Sequence, residues 1–223
     1  MSTRGCVGRL TSKPGEPLKW KGRYIHFDAY PSGLGARLYE LRNGHFKGDT
    51  KAMLKVLLDD HKAGWSTIDG DFNNEPGYME PDYCSEKDPE KQKVLREKYF
   101  SIPKCYCHGS RSDKAYSVNE KNASGSGCEY GYLFTSDGNI MVVISCDSCD
   151  RNAKWKVVGQ VDLNEVAPDW EKLPLIQVAV LKKQFDAEVE EQKKIDVKVL
   201  EVKKLEEKGK EEFKNSDLYE IIG

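Results

Sequence analysis

The stretch GRYIHFDAYPSGLGARLYEL, residues 22–41, changes period in its middle, and that change decides the fold. Up to Tyr30 apolar and polar residues alternate, the pattern of a strand with one buried face. Period-two geometry places Ile25, Phe27 and Ala29 on one face and Tyr24, His26, Asp28 and Tyr30 on the other. Pro31 ends the strand. Beyond it Leu34, Leu38 and Leu41 recur at helical spacing, with Ser32 as the candidate cap and Gly44 as the stop. A strand feeding directly into an amphipathic helix indicates a layered domain in which helices cover a sheet.

Working outward, RGCVGRL (residues 4–10) and a Gly/Pro-bearing connector make a strand and loop ahead of this segment. DTKAMLKVLLDDHKAG (residues 49–64) predicts a second helix, beginning at Asp49 or Thr50, with Met53, Leu54, Leu57 and Leu58 on one stripe and Gly64 as the stop. The Gly-, Pro-, Asn- and Asp-rich run that follows, to residue 85, reads as a long loop containing one short strand. DPEKQKVLREKYF (residues 88–100) predicts a third helix with Asp88 as cap and Pro89 in its first turn. Residues 110–127 are polar and Gly/Ser-rich, which predicts a mobile segment. CEYGYLFTSDGNIMVVIS (residues 128–145) is a hairpin whose Asp137-Gly138 suits a turn with positive φ, and KWKVVGQVDL (residues 154–163) supplies a further strand.

These elements predict an α+β domain over residues 1–174, a mostly antiparallel sheet with helices packed on one side. From residue 175 charges alternate with Val178, Leu181, Phe185 and later apolar residues in a broken heptad pattern. Residues 175–223 therefore read as a C-terminal extension carrying a long amphipathic helix, with KIDVKVLEV (residues 194–202) open to a strand reading. The broken heptads favour packing on the same subunit over pairing with a second copy, so monomer and homodimer both stand.

Thirty-five basic against 37 acidic side chains leave a net charge of −2, so no global field draws phosphate backbones or anionic lipid, and nucleic acid is not implied. No run approaches the roughly 18 apolar residues of a membrane span, and the N-terminus lacks a signal-type apolar run. A cytoplasmic protein is expected. Seven cysteines there are thiols or metal ligands before they are disulfides.

Two constellations carry chemistry. The first is the polar face of residues 24–30 running into a helix start, where Ser32, Gly33 and Gly35 offer close backbone approach and unpaired N–H groups suit an anion. The opening MSTRGCVGRL, the segment HFDAYPSGLG and CEYGYLF followed by Asp137-Gly138 resemble a group of bacterial and phage-encoded proteins with no established activity. Those proteins begin with a Thr-Arg-Gly strand and continue into a His-aromatic-Asp-x-Tyr-Pro segment. The resemblance spans about the first 45 residues and the central hairpin, and implies Arg4, Gly5, His26, Asp28, Tyr30, Pro31 and Gly35 as the shared motif, without roles. The chain departs from the group at Ser2 and Cys6.

The second constellation is Cys105-Tyr-Cys107-His108 together with Cys146-Asp-Ser-Cys149. Two close-spaced cysteine pairs are the context in which four thiolates gather around tetrahedral zinc, so Cys105, Cys107, Cys146 and Cys149 are the candidate ligands of a structural ion. His108 and Cys128 stand as substitutes, and the zinc-binding loop region would span residues 105–149. No His/Glu pair at helical spacing supports a catalytic zinc.

Two classes of function follow. One is an accessory binding module of bacterial or phage type, holding a small polar or anionic ligand, or a protein partner, with Tyr24, His26, Asp28, Tyr30, Ser32, Gly33, Gly35 and Arg4. The other is a hydrolase in which His26 is the acid or base and Asp28 orients it, or an N-terminal nucleophile enzyme using Ser2. No specific nucleophile stands out, which ranks binding ahead.

Overall fold

A computed structural model describes residues 2–13, 15–77, 84–108, 114–146 and 153–173. The chain divides into residues 1–179 and 180–223, and every described residue lies in the first unit. The expected C-terminal helix, with Val178, Leu181 and Phe185, lies outside the described residues, as does Cys149.

The strands are β1 (Arg4–Leu10), β2 (Trp20–Ile25), β3 (Trp65–Thr67), β4 (Lys104–Cys105), β5 (Ser117–Asn119), β6 (Cys128–Phe134), β7 (Ile140–Cys146) and β8 (Trp155–Asp162). They form one sheet in the order β4-β3-β2-β1-β6-β7-β8, with β5 also paired to β2. β1 with β2, β6 with β7 and β7 with β8 are antiparallel neighbours in sequence, the β6–β7 pair as its Asp-Gly turn predicts. Gly138, at φ +78°, sits in the β6–β7 turn. The expectation of a mostly antiparallel sheet is corrected, because β1 runs parallel to β6 and β2 parallel to β3, making the sheet mixed. Those two pairings join segments far apart in sequence, and local pattern carries no information about which distant strand becomes the neighbour.

Both sheet faces are buried. Val7, Ile25, Tyr132, Phe134, Met141 and Val143 point into one apolar cluster, and Cys6, Tyr24, Leu133, Val142 and Ile144 into the other. This is the alternation of a pleated strand with apolar residues at every position, which explains why YLF and IMVVI are uninterrupted. The first cluster is covered by α1 (Ala36–Asn43), through Leu38 and Leu41, and by α2 (Thr50–Leu54) with its π-helical continuation (Lys55–Asp60), through Met53, Leu54, Leu57 and Leu58. Burying each leucine contributes about 2 kcal/mol. Asp49 caps α2 by accepting from the Ala52 N–H at 2.9 Å, as its sequence predicts. The second face is covered by β5 and residues 116–128, with Val118 and Ala123 fully buried. Part of the segment expected to be mobile is therefore a structural lid on the sheet, held by β5–β2 pairing across Lys21, Gly22 and Arg23.

α3 (Pro89–Phe100) is capped by Asp88, which accepts from Glu90 and Lys91 N–H groups, but buries none of its residues. No helix among the described residues is long and apolar enough to cross a membrane.

Candidate functional site

The segment from Tyr24 to Tyr30 is not a continuous strand. β2 ends at Ile25. His26 and Phe27 still donate to the carbonyls of Trp65 and Ser66, both at 3.1 Å, and then Asp28 turns the chain at φ +54°. Aspartate tolerates this left-handed conformation better than most residues. The turn ends the alternation, so Tyr24, His26, Asp28 and Tyr30 do not share one face, and Phe27 is exposed rather than buried with Ile25.

Ser32 is not the helix cap. Pro31–Gly35 forms a π-helical turn that leads into α1, Tyr30 occupies the cap position, and no side chain caps it. The Gly33 N–H donates to the Tyr30 carbonyl at 3.0 Å and the Leu34 N–H to the Asp28 carbonyl at 2.8 Å. Pro31 has no N–H to offer, so most of the donors that would receive an anion are absent or already engaged.

A cleft of about 280 Å³ lies at this junction. One wall is Phe27, Asp28, Tyr30, Ser32 and Gly33, the facing wall is Thr67, Ile68 and Asp69 after β3, and Arg37 and Glu40 reach in from α1. Thr67 donates its hydroxyl to an Asp69 carboxylate oxygen at 2.7 Å. Arg37 donates Nη2 to the Gly70 carbonyl at 2.5 Å and Nε to that of Ile68 at 3.3 Å, with Glu40 3.8 Å from Nη1. A larger, more open depression of about 760 Å³ adjoins it, sharing Arg37 and Glu40 and reaching His45, Lys47 and Phe72.

Of the residues singled out from sequence, Asp28, Tyr30, Ser32 and Gly33 line the cleft, and Tyr24, His26, Gly35 and Arg4 do not. Tyr24 is buried in the opposite apolar cluster with its hydroxyl 2.8 Å from His26 Nδ1. Gly35 is a packing residue: a Cβ there would lie 2.9 Å from the Trp170 ring and 3.0 Å from that of Tyr132. Gly33 passes beneath the cleft wall, where a Cβ would fall 2.3 Å from the Asp28 carbonyl oxygen. Arg4 is exposed. Arg37, Glu40, Thr67 and Asp69 were not legible as site residues, since an Arg and a Glu three apart on a helix read as a solvated face.

The cysteines converge in part. His61, at the end of the α2 segment, meets Cys105 of β4 and Cys107, their candidate ligand atoms all lying within 4.8 Å of one another, a set that could hold a metal ion. His61 Nδ1 is 3.2 Å from Cys105 Sγ, and His108 Nδ1 is 2.8 Å from the same sulfur. Cys105 is fully buried, and burial pushes its thiol up to about 11, opposed by the His108 N–H directed at the sulfur. Burial, reinforced by the nearby His108, holds the His61 imidazole below its ordinary value. Cys146 sits on β7 and is not part of this cluster. His61 had no sequence signal beyond its place before Lys62-Ala63-Gly64, where a histidine reads as a favourable helix end.

Fold and sites together define an α+β protein with a mixed sheet, a polar cleft at a strand-to-helix junction and a His/Cys cluster at the sheet edge. Comparison with protein-family models, with curated proteins and with solved structures finds no match.

Proposed function

We propose that the chain is a cytoplasmic accessory module that binds a small polar ligand bearing hydroxyl or ammonium groups in the cleft between the β2–α1 junction and the loop after β3. The observation that carries this reading is the character of the walls. Asp28, Glu40 and Asp69 bring three carboxylates against one guanidinium, Arg37, two of whose N–H groups are donated to carbonyls. Phe27 and Tyr30, each 42% exposed, add aromatic surface suited to a cation or to the apolar face of a sugar. With most of the first helical N–H groups absent or engaged, an anion is disfavoured. The volume is near the lower bound of small-molecule sites. The phage-type setting rests on the resemblance alone.

This stands ahead of the hydrolase alternative because His26 is not among the cleft-lining residues and the Ser2 hydroxyl is donated to the His26 carbonyl at 2.6 Å. The test is chemical-shift mapping with choline, putrescine, glucose and inorganic phosphate. Perturbations by an amine or the sugar should cluster at residues 27–40 and 67–69 and vanish in Asp69→Asn. Response to phosphate alone, or to none of the four, would refute the reading.

The ion suited to the His/Cys cluster is, in this proposal, a structural zinc, because paired thiolate and imidazole ligands select it among abundant divalent cations.

A further inference from the structure

We infer that His61, Cys105, Cys107 and His108 form one closed, four-ligand zinc site that fastens the β4 edge of the sheet to the end of the α2 segment. This rests on the zinc reading above and adds its fourth ligand and its task. The Cys105 sulfur is the hub, with His61 Nδ1 at 3.2 Å and His108 Nδ1 at 2.8 Å; His61, Cys105 and Cys107 have ligand atoms mutually within 4.8 Å, and His108 touches that set through Cys105. The imidazole rings of His61 and His108 have centroids 5.5 Å apart, close enough to share one ion. Tetrahedral bonds of about 2.3 Å to sulfur and about 2.0 Å to nitrogen separate neighbouring ligand atoms by about 3.5 Å. His61, Cys105 and Cys107 are already near that spacing, and the exposed His108 ring, in contact with Cys105, would turn toward them to complete the set.

Charge and second-layer contacts agree with that assignment. Two thiolates and two neutral imidazoles leave a divalent ion with no net charge, so the site is compatible with the complete burial of Cys105. The backbone N–H groups of Cys107 and His108 are directed at the Cys105 sulfur, and that of Ala63 donates to Cys107 Sγ at 3.2 Å. A neutral thiol is a weak acceptor, whereas amide donors turned onto metal-bound thiolates are the usual means of spreading their charge.

The task follows from topology. β4 has two residues, Lys104–Cys105, and is reached only after residues 68–103, in which α3 buries nothing. A strand that short supplies few ladder bonds to hold the end of so long an excursion. An ion bound by residue 61 and by residues 105–108 would cross-link the two ends of that loop through coordinate bonds and so stabilise the facing wall of the cleft, which begins at Thr67.

The experiment is metal analysis of the purified full chain after desalting, followed by cobalt substitution. We expect one zinc per chain, and a cobalt form with thiolate-to-cobalt charge-transfer absorption and tetrahedral ligand-field bands. His108→Ala should weaken cobalt affinity by at least about 100-fold and reduce the tetrahedral bands, as loss of a ligand exceeds the effect of losing a second-layer contact. Cys107→Ser should abolish binding, and Cys146→Ser and Cys149→Ser should leave it unchanged. If Cys107→Ser does not fold, His108→Ala, at an exposed position, carries the test. Stoichiometric zinc with unaltered affinity and bands in His108→Ala would overturn the four-ligand site while leaving zinc itself. Absence of stoichiometric zinc would overturn both, and loss of binding in Cys149→Ser would overturn the ligand set.

Discussion

At the scale of single residues, Arg42 does more than its sequence suggests. It is 6% exposed and pairs with no carboxylate among the described residues; it donates Nε to Thr50 Oγ1 at 3.1 Å, Nη1 to the Leu163 carbonyl at 2.6 Å and Nη2 to Asn164 Oδ1 at 2.9 Å. Thr50 in turn donates to the Gly138 carbonyl at 2.6 Å, so one guanidinium links α1, α2, the β6–β7 turn and the exit of β8. Arg42→Leu takes this donor from the buried Thr50 hydroxyl and Leu163 carbonyl and should cost about 3 kcal/mol by urea unfolding. A loss under about 1 kcal/mol would show the network to be incidental. Lys104 is buried beside the cluster with Nζ 4.0 Å from the Tyr99 ring centroid, and burial holds its ammonium below the ordinary lysine value. The unfolded chain therefore binds the extra proton between the depressed value and about 10.4, so stability should rise with pH across that window and fall back as pH drops through the folded value. Lys104→Met should remove this rise, measured as the pH dependence of Tm.

At the scale of elements, both candidate sites stand beside π-helical segments, Pro31–Gly35 at the cleft and Lys55–Asp60 ahead of His61. Such wide turns redirect backbone and recur at functional positions. The stripes that build the helices were legible, because Leu38, Leu41, Met53, Leu54, Leu57 and Leu58 repeat at the helical period and all are buried. The end of β2 was not, since the alternation continues in sequence through Tyr30 while the backbone turns at Asp28. Gly35 belongs to this scale, because it lets the helix start press against Trp170 and Tyr132. Gly35→Val should lower stability by about 1–3 kcal/mol through overpacking and shift Trp170 fluorescence. An unchanged urea midpoint would mean that the junction relaxes freely.

At the scale of the molecule, the last described contributor to the apolar clusters is Leu173, and the first compact unit ends at residue 179. A chain ending at residue 179 should therefore melt cooperatively with the sheet intact, checked by circular dichroism and dispersion of amide resonances. An insoluble or non-cooperative fragment would mean that residues beyond 179 supply core.

The sequence by itself determined most of the strands and helices, β4, β5 and the end of β2 excepted, together with the caps at Asp49 and Asp88 and the β6–β7 turn. These depend on contacts within a few residues, where period and capping chemistry act. Only the tertiary structure decided that β1 lies parallel to β6, that residues 117–127 close the second face of the sheet, and that Arg37, Glu40 and Asp69 join Asp28. It also brought His61 to Cys105 and Cys107 across 44 residues of chain between His61 and Cys105. Those choices turn on which distant surfaces bury one another best, and burial is non-directional, so no local spacing records the partner.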